Sequence, residues 1–151
     1  MNFISTRGGE ETVLSSQAII KGIANDGGLY VPNEFPNIYD NLKKKMGLSY
    51  IELAYEVIKE FFGDIGEENL KEVINRAYNG KFSVREEKNF LELYHGPTSA
   101  FKDAALLFLP QVMKEAKKLN NIKEEIIILT ATSGDTGKAA LQGFSNVDGF
   151  K

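Results

Sequence analysis

The run Glu125-Ile126-Ile127-Ile128-Leu129-Thr130-Ala131 constrains the fold more than any other part of this chain. A nearly unbroken apolar segment leaves no polar face to turn toward water, so it reads as a parallel strand buried on both sides. Turn chemistry follows at once in Thr132-Ser133-Gly134-Asp135-Thr136-Gly137, and Lys138-Ala139-Ala140-Leu141 begins a helix. Strand, glycine-rich turn and helix start together leave backbone N–H groups free to meet a carboxylate or a phosphate. An ordinary strand-to-helix loop with a Ser or Asp cap would read the same way. A nucleotide-binding P-loop would not, since it needs four residues between its glycines and a Ser or Thr after its lysine. Here only Asp135 and Thr136 separate Gly134 from Gly137, and Ala139 follows Lys138.

A second strand-turn-helix pattern lies upstream. Phe90 to Tyr94 is a short apolar strand, Gly96-Pro97 a turn, and a long helix is expected from Ser99 with Thr98 as its N-cap. Lys102 then falls in the first helical turn, where the positive end of the helix dipole disfavours an ammonium. A lysine whose protonation is penalised can act as an imine-forming nucleophile, the role lysines play with pyridoxal 5'-phosphate (PLP). The competing reading is a solvated Lys102 with Asp103 offsetting the dipole. The helix should pack through Phe101, Ala105, Phe108, Val112, Ala116 and Leu119, and Pro110 should kink it at a cost of about 3 kcal/mol. Strand, helix, strand, helix in this order predicts a right-handed βαβ arrangement at the edge of a larger α/β sheet.

The first part of the chain reads as a mixed α+β unit. Phe3 to Thr6 and Leu29 to Val31 are strand candidates around a helix near Ser15 to Ala24 that buries Ala18, Ile19 and Ile23. Asn25-Asp26-Gly27-Gly28 is a turn by composition. Ser49-x-x-Glu52 is a capping box, and Ile51, Ala54, Ile58 and Phe61 form the stripe behind it. From Glu67 to Asn79 the residues Leu70, Val73, Ile74, Ala77 and Tyr78 keep helical spacing, with Gly80 placed to end the helix. Lys81 to Asn89 reads as a charged connector. Two units are expected, residues 1–94 and 95–151, meeting near Gly96-Pro97.

Composition narrows the function. A net charge of −3 offers no footprint for nucleic acid, and Lys43-Lys44-Lys45 reads as a solvated helix face. There is no cysteine and only His95 for imidazole chemistry, which excludes thiolate and multi-histidine metal sites. No apolar stretch has signal or membrane length, so a cytoplasmic setting is the default expectation.

Taken together, Leu91 to Asp103 and Leu129 to Gly137 resemble the threonine synthase family, within the PLP enzymes that include serine/threonine dehydratases and the tryptophan synthase β subunit. The wider group usually carries asparagine in the second motif, so Asp135 and Thr136 point to threonine synthase itself. Ser5-Thr6-Arg7-Gly8 and Asp26-Gly27-Gly28-Leu29-Tyr30-Val31-Pro32 are similar to that family's opening segment. The resemblance implies that residues 95–151 begin a PLP-binding α/β domain and that Lys102 is the catalytic and cofactor-holding lysine. It implies an O-phosphohomoserine substrate, bound by Ser133, Gly134, Thr136 and Gly137. It places Asp135 toward the cofactor or the substrate amine, or leaves it to cap the helix. His95 would serve substrate phosphate or the cofactor, or only pin the Gly96-Pro97 turn. Family members are several times longer, and their phosphate-cradling loop and ring-nitrogen partner lie beyond the matching region. The remainder of the polypeptide is therefore expected to be missing, and these 151 residues to be inactive alone. A related PLP lyase or dehydratase, or a non-catalytic binding or regulatory module, are the other readings.

Overall fold

Three short strands build the first ladder of the computed structural model, which describes every residue from Met1 to Lys151. β1 (Asn2–Ser5) lies between β2 (Val13–Leu14) and β3 (Tyr30–Pro32) and is antiparallel to both. Phe3 stands opposite Val13 and Pro32, and Ser5 opposite Tyr30. The turn before β3 is stapled back onto β1 by Asp26, whose carboxylate accepts from Ser5 Oγ (2.7 Å), Gly28 N (2.8 Å) and Gly9 N (2.8 Å). The Ser5 hydroxyl first, and then the Gly28 amide, hold that carboxyl below its ordinary range. A Cβ on Gly28 would overlap Ser5 Oγ, so this turn requires glycine on steric grounds.

Helix α1 (Ser15–Lys21) follows β2 directly, and Asp64 caps it from a distance by accepting from Ser15 Oγ and from Ser16 N (3.0 Å). Burial raises the Asp64 pKa, but the two serine hydroxyls and the Ser16 amide outweigh it and leave the carboxyl below its ordinary range. Ala18 is buried as expected, whereas Ile23 is 63% exposed. Gly22 takes φ +69° and ends the helix, so Ile23 leaves the helical face and bridges Leu29 instead. Beyond α2 (Tyr39–Lys43), the Ser49–Glu52 capping box opens α3 (Tyr50–Ile58). α4 (Glu67–Tyr78) buries all five residues of its predicted stripe, and Gly80 follows it at φ +68°.

Three sequence expectations are corrected here. Lys81 to Asn89 is no mere connector: β4 (Ser83–Glu87) pairs antiparallel with β5 (Phe90–His95) across a turn at Lys88-Asn89. Only Val84 of β4 is half-buried, so its sequence carries no alternation to betray a strand. β5 therefore joins this hairpin and not a sheet with the Ile126 segment. The parallel pairing appears one step later, with Ile126 bridging Phe150 across α7 (Asp135–Phe144). Ile126 N donates to Gly149 O, and Lys151 N donates to Ile126 O.

The long helix is also two helices, α5 (Asp103–Leu106) and α6 (Phe108–Leu119). Restarting at Phe108 puts Pro110 in a first turn, where its missing N–H has no intrahelical partner to lose. The cost of an interior proline is thereby avoided, and Pro110 is fully buried. Val112 and Ala116 of the expected face are buried and Phe108 is half-buried, whereas Phe101, Ala105 and Leu119 are exposed and Leu107 is buried in their stead.

One core runs through these elements. Ile65, Leu70, Val73, Ile74, Ala77, Tyr78 and Phe82 pack with Leu107 and Val112, joining residues on both sides of position 95. Tyr50 meets Tyr78 edge-on at 5.2 Å between ring centres. A smaller cluster of Met113, Phe144 and Phe150 receives Ile126 and Ile128. No helix is long and apolar enough to cross a membrane.

Candidate active site

The turn carrying Lys102 is built by residues 96–104. Thr98 does not cap a helix begun at Ser99. It is buried, and its Oγ1 and N donate to the Asp103 carboxylate at 2.7 and 2.9 Å. Lys102 occupies the cap position of α5, immediately before the first helical residue. Consecutive short-range bonds from Asp103 N to Ala100 O, Ala104 N to Phe101 O and Ala105 N to Lys102 O wind the chain into the helix. The Lys102 side chain is half-buried, and its ammonium lies over the Phe101 ring at 5.1 Å without a carboxylate partner. Lys138, the other lysine near a helix start, stands 3.7 Å from Asp135.

The glycine-rich turn opens α7, and its organiser is Thr132. The Thr132 Oγ1 accepts from Gly134 N (3.3 Å) and from Gly137 N (2.9 Å). A Cβ on Gly137 would sit 2.7 Å from that oxygen, so Gly137 is required by the cap itself. Gly134 adopts φ +150° at the helix cap position. The N–H groups of Asp135 and Thr136 then have no protein acceptor, beside the exposed hydroxyls of Ser133 and Thr136. Exposed donors at a helix start suit a small anion.

His95 ends β5 and faces elsewhere. Its Nε2 is 2.6 Å from Glu92 Oε2, and its ring lies against Tyr94 at 4.6 Å. The bond to His95, then that to Tyr94, hold the Glu92 carboxyl below its ordinary range. His95, Ser99, Gln111, Gln142 and Asn146 line an open cleft of about 910 Å³. Lys102 and residues 132–137 do not line it. The cleft is thus bordered by residues 94–97 and 99 of the first motif but not by Lys102 or the α7 turn, and no hydrogen bond or ion pair joins Lys102, the 132–137 turn and His95 to one another.

What links the two motifs is packing between α5 and α7. Pro110 has no N–H for the Leu106 carbonyl, and Gly143 of α7 closes onto that oxygen so tightly that a Cβ would overlap it.

Residues 2–78 match the family model described as "Threonine synthase N terminus". The chain belongs to the threonine synthase family. It is 35% identical to the threonine synthase of Schizosaccharomyces pombe, over 95% of this chain and 31% of that protein. To the Pseudomonas aeruginosa threonine synthase it is 36% identical, over 98% of this chain and 33% of the relative. A crystal structure of PLP-bound threonine synthase from Brucella melitensis superposes with a TM-score of 0.89 at 36% identity, covering all of this chain and 34% of that one. The Escherichia coli threonine synthase structure superposes at 0.84 and 29% identity, over 100% of this chain and 36% of its own. The chain thus spans about a third of the length of the threonine synthases it matches. The N-terminal family match stops at residue 78, and the longer alignments extend over Lys102 and the α7 turn.

Two contributors escaped the sequence reading of this threonine synthase segment. Thr132 was legible in principle, because a hydroxyl two residues before a glycine favours a local side-chain turn. The Thr98–Asp103 pairing was not, because its geometry depends on where the following helix begins.

Proposed function

We propose that this chain is the part of a PLP-dependent threonine synthase that supplies the cofactor lysine and the substrate-carboxylate loop. The reaction is conversion of O-phospho-L-homoserine and water to L-threonine and phosphate. The observation that carries the reading is the Lys102 amine, free of any carboxylate at the head of α5 in a chain of this family. Its donor set suits the cofactor: a free primary amine for the aldehyde, and unbonded N–H groups at α7 for an anion. PLP, when bound, supplies an electron sink for negative charge at the substrate's Cα and Cβ.

The chain's own residues do the rest. Lys102 would hold the cofactor through Nζ, and its free amine would take and return protons at the substrate's Cα and Cβ. The Asp135 and Thr136 amides and the Ser133 and Thr136 hydroxyls bind the α-carboxylate, with Gly134 and Gly137 shaping the turn. Asp135 would repel that carboxylate, so it is assigned to the amine or cofactor side. His95, with Nε2 committed to Glu92, has Nδ1 left for a ligand. Borohydride reduction of the PLP-loaded polypeptide that carries this sequence, followed by peptide mapping, is expected to label Lys102. Lys102→Ala should remove the visible cofactor band and the release of phosphate from phosphohomoserine. A label on Lys138 would overturn the assignment.

A further inference from the structure

Asp103 follows Lys102 in sequence, yet its side chain is 1% exposed. Both carboxylate oxygens are used on Thr98, Oδ1 accepting from Oγ1 and Oδ2 from the amide, and no cation pairs with it. A carboxylate buried without a cation is costly, whereas an acid placed only to offset a helix dipole would stay in water. The two bonds close a loop from 98 to 103. Within it Ser99 takes φ +56°, a conformation rarely adopted by residues other than glycine. Gly96 makes room for the carboxylate: a Cβ there would stand 2.5 Å from Asp103 Oδ2 and 3.0 Å from Phe82. From the core side, Tyr78 donates its hydroxyl proton to Ala104 O at 2.6 Å. The backbone on both sides of Lys102 is pinned from within, while the Lys102 amine is left uncommitted.

We infer that Asp103 and Thr98 are positioning residues for Lys102. Their buried clasp sets the direction in which the amine meets the cofactor aldehyde. The inference rests on the assignment of Lys102 made above. In the step it serves, Nζ forms a C=N bond to the aldehyde carbon and one water leaves. The clasp acts through geometry and not through its charge, because a small misdirection of a reacting group is itself expensive.

The test uses the full-length polypeptide carrying this chain, freed of cofactor. Growth of visible absorbance after adding PLP gives the attachment rate, and visible circular dichroism of the bound cofactor reports its orientation. Asp103→Ala should slow attachment about 10- to 100-fold and alter the dichroism. Thr98→Val, which loses one bond, should slow it by roughly tenfold or less, and Thr98→Ser should restore it. Asp103→Asn can keep both contacts, its oxygen accepting from the Thr98 amide and its N–H donating to the hydroxyl, and should stay within about threefold. Ile74→Val, a core variant, should lower the thermal midpoint without changing the rate. If Asp103→Ala does not fold, Thr98→Val against Thr98→Ser decides. Wild-type attachment in a folded clasp variant, Asp103→Asn as slow as Asp103→Ala, or equal slowing by Ile74→Val would each overturn the inference. In those cases borohydride labelling of Lys102 would still stand. Loss of that label from the wild-type protein would overturn the functional reading along with it.

Discussion

At the α7 turn, hydroxyls of one chemical kind have different tasks. Thr132 turns its hydroxyl onto the amides of Gly134 and Gly137, while Ser133 and Thr136 keep theirs in water with their neighbours' N–H groups unbonded. A ligand carboxylate can therefore be served without dismantling the cap. On the proposed function, Ser133→Ala and Thr136→Val in the polypeptide that carries this sequence are expected to weaken phosphohomoserine binding by about 10- to 150-fold each, the loss of one bond to a charged group. PLP should stay bound. Substrate titrations followed on the visible cofactor band check both points, and variants that shed PLP first would show that the loop serves the cofactor. The spacing of Lys102 and of Ser133 to Gly137 marked both segments as candidates in the sequence, and the family resemblance, not the spacing, gave them roles. Their supports were not. Asp103 is an ordinary acid beside a lysine until folding buries it against Thr98.

At the scale of elements, two helices are joined by what each lacks. Pro110 withholds a donor from Leu106, and Gly143 withholds a side chain, so α7 can lie directly on the freed carbonyl. Gly143→Ala should force α7 away from α5 and destabilise the protein by roughly 1–3 kcal/mol, as overpacking of a close contact does. Denaturant unfolding measures the loss, and amide exchange should quicken first at Ile126 and Lys151, whose pairing α7 covers. An unchanged midpoint would mean that the α5–α7 contact yields at no cost. Lys117 reinforces the same corner: its buried ammonium donates to Glu124 O (2.7 Å) and Gly149 O (2.9 Å), tying together the segments on either side of α7. Periodicity located α1, α3 and α4, whose apolar stripes lie against one core. It missed β4, which is stabilised by its ladder to β5 more than by burial, and it ran α5 and α6 together because proline alone does not say where a helix restarts.

For the whole molecule, the apolar run that opened the sequence reading is covered on one side only. Ile126 and Ile128 pack against Met113, Phe144 and Phe150, while Ile127 is 67% and Leu129 90% exposed. We expect the 151 residues alone to bind PLP weakly and to self-associate through this face, since exposed contiguous apolar surface promotes association. Equilibrium dialysis against PLP, with free lysine as control, and sedimentation at several concentrations check this. Micromolar affinity with threonine formation from phosphohomoserine would contradict it. By itself the sequence determined much of the local chemistry: the helices α1, α3 and α4, the turns that need glycine, and the lysines that stand near helix starts. Those properties depend on neighbours a few residues away, through backbone sterics, capping and side-chain periodicity. Only the tertiary structure decided that β5 pairs with β4, that Ile126 pairs with Phe150, and that Asp103 is buried on Thr98. Each of those depends on which surfaces meet in space, and local spacing carries no record of that choice.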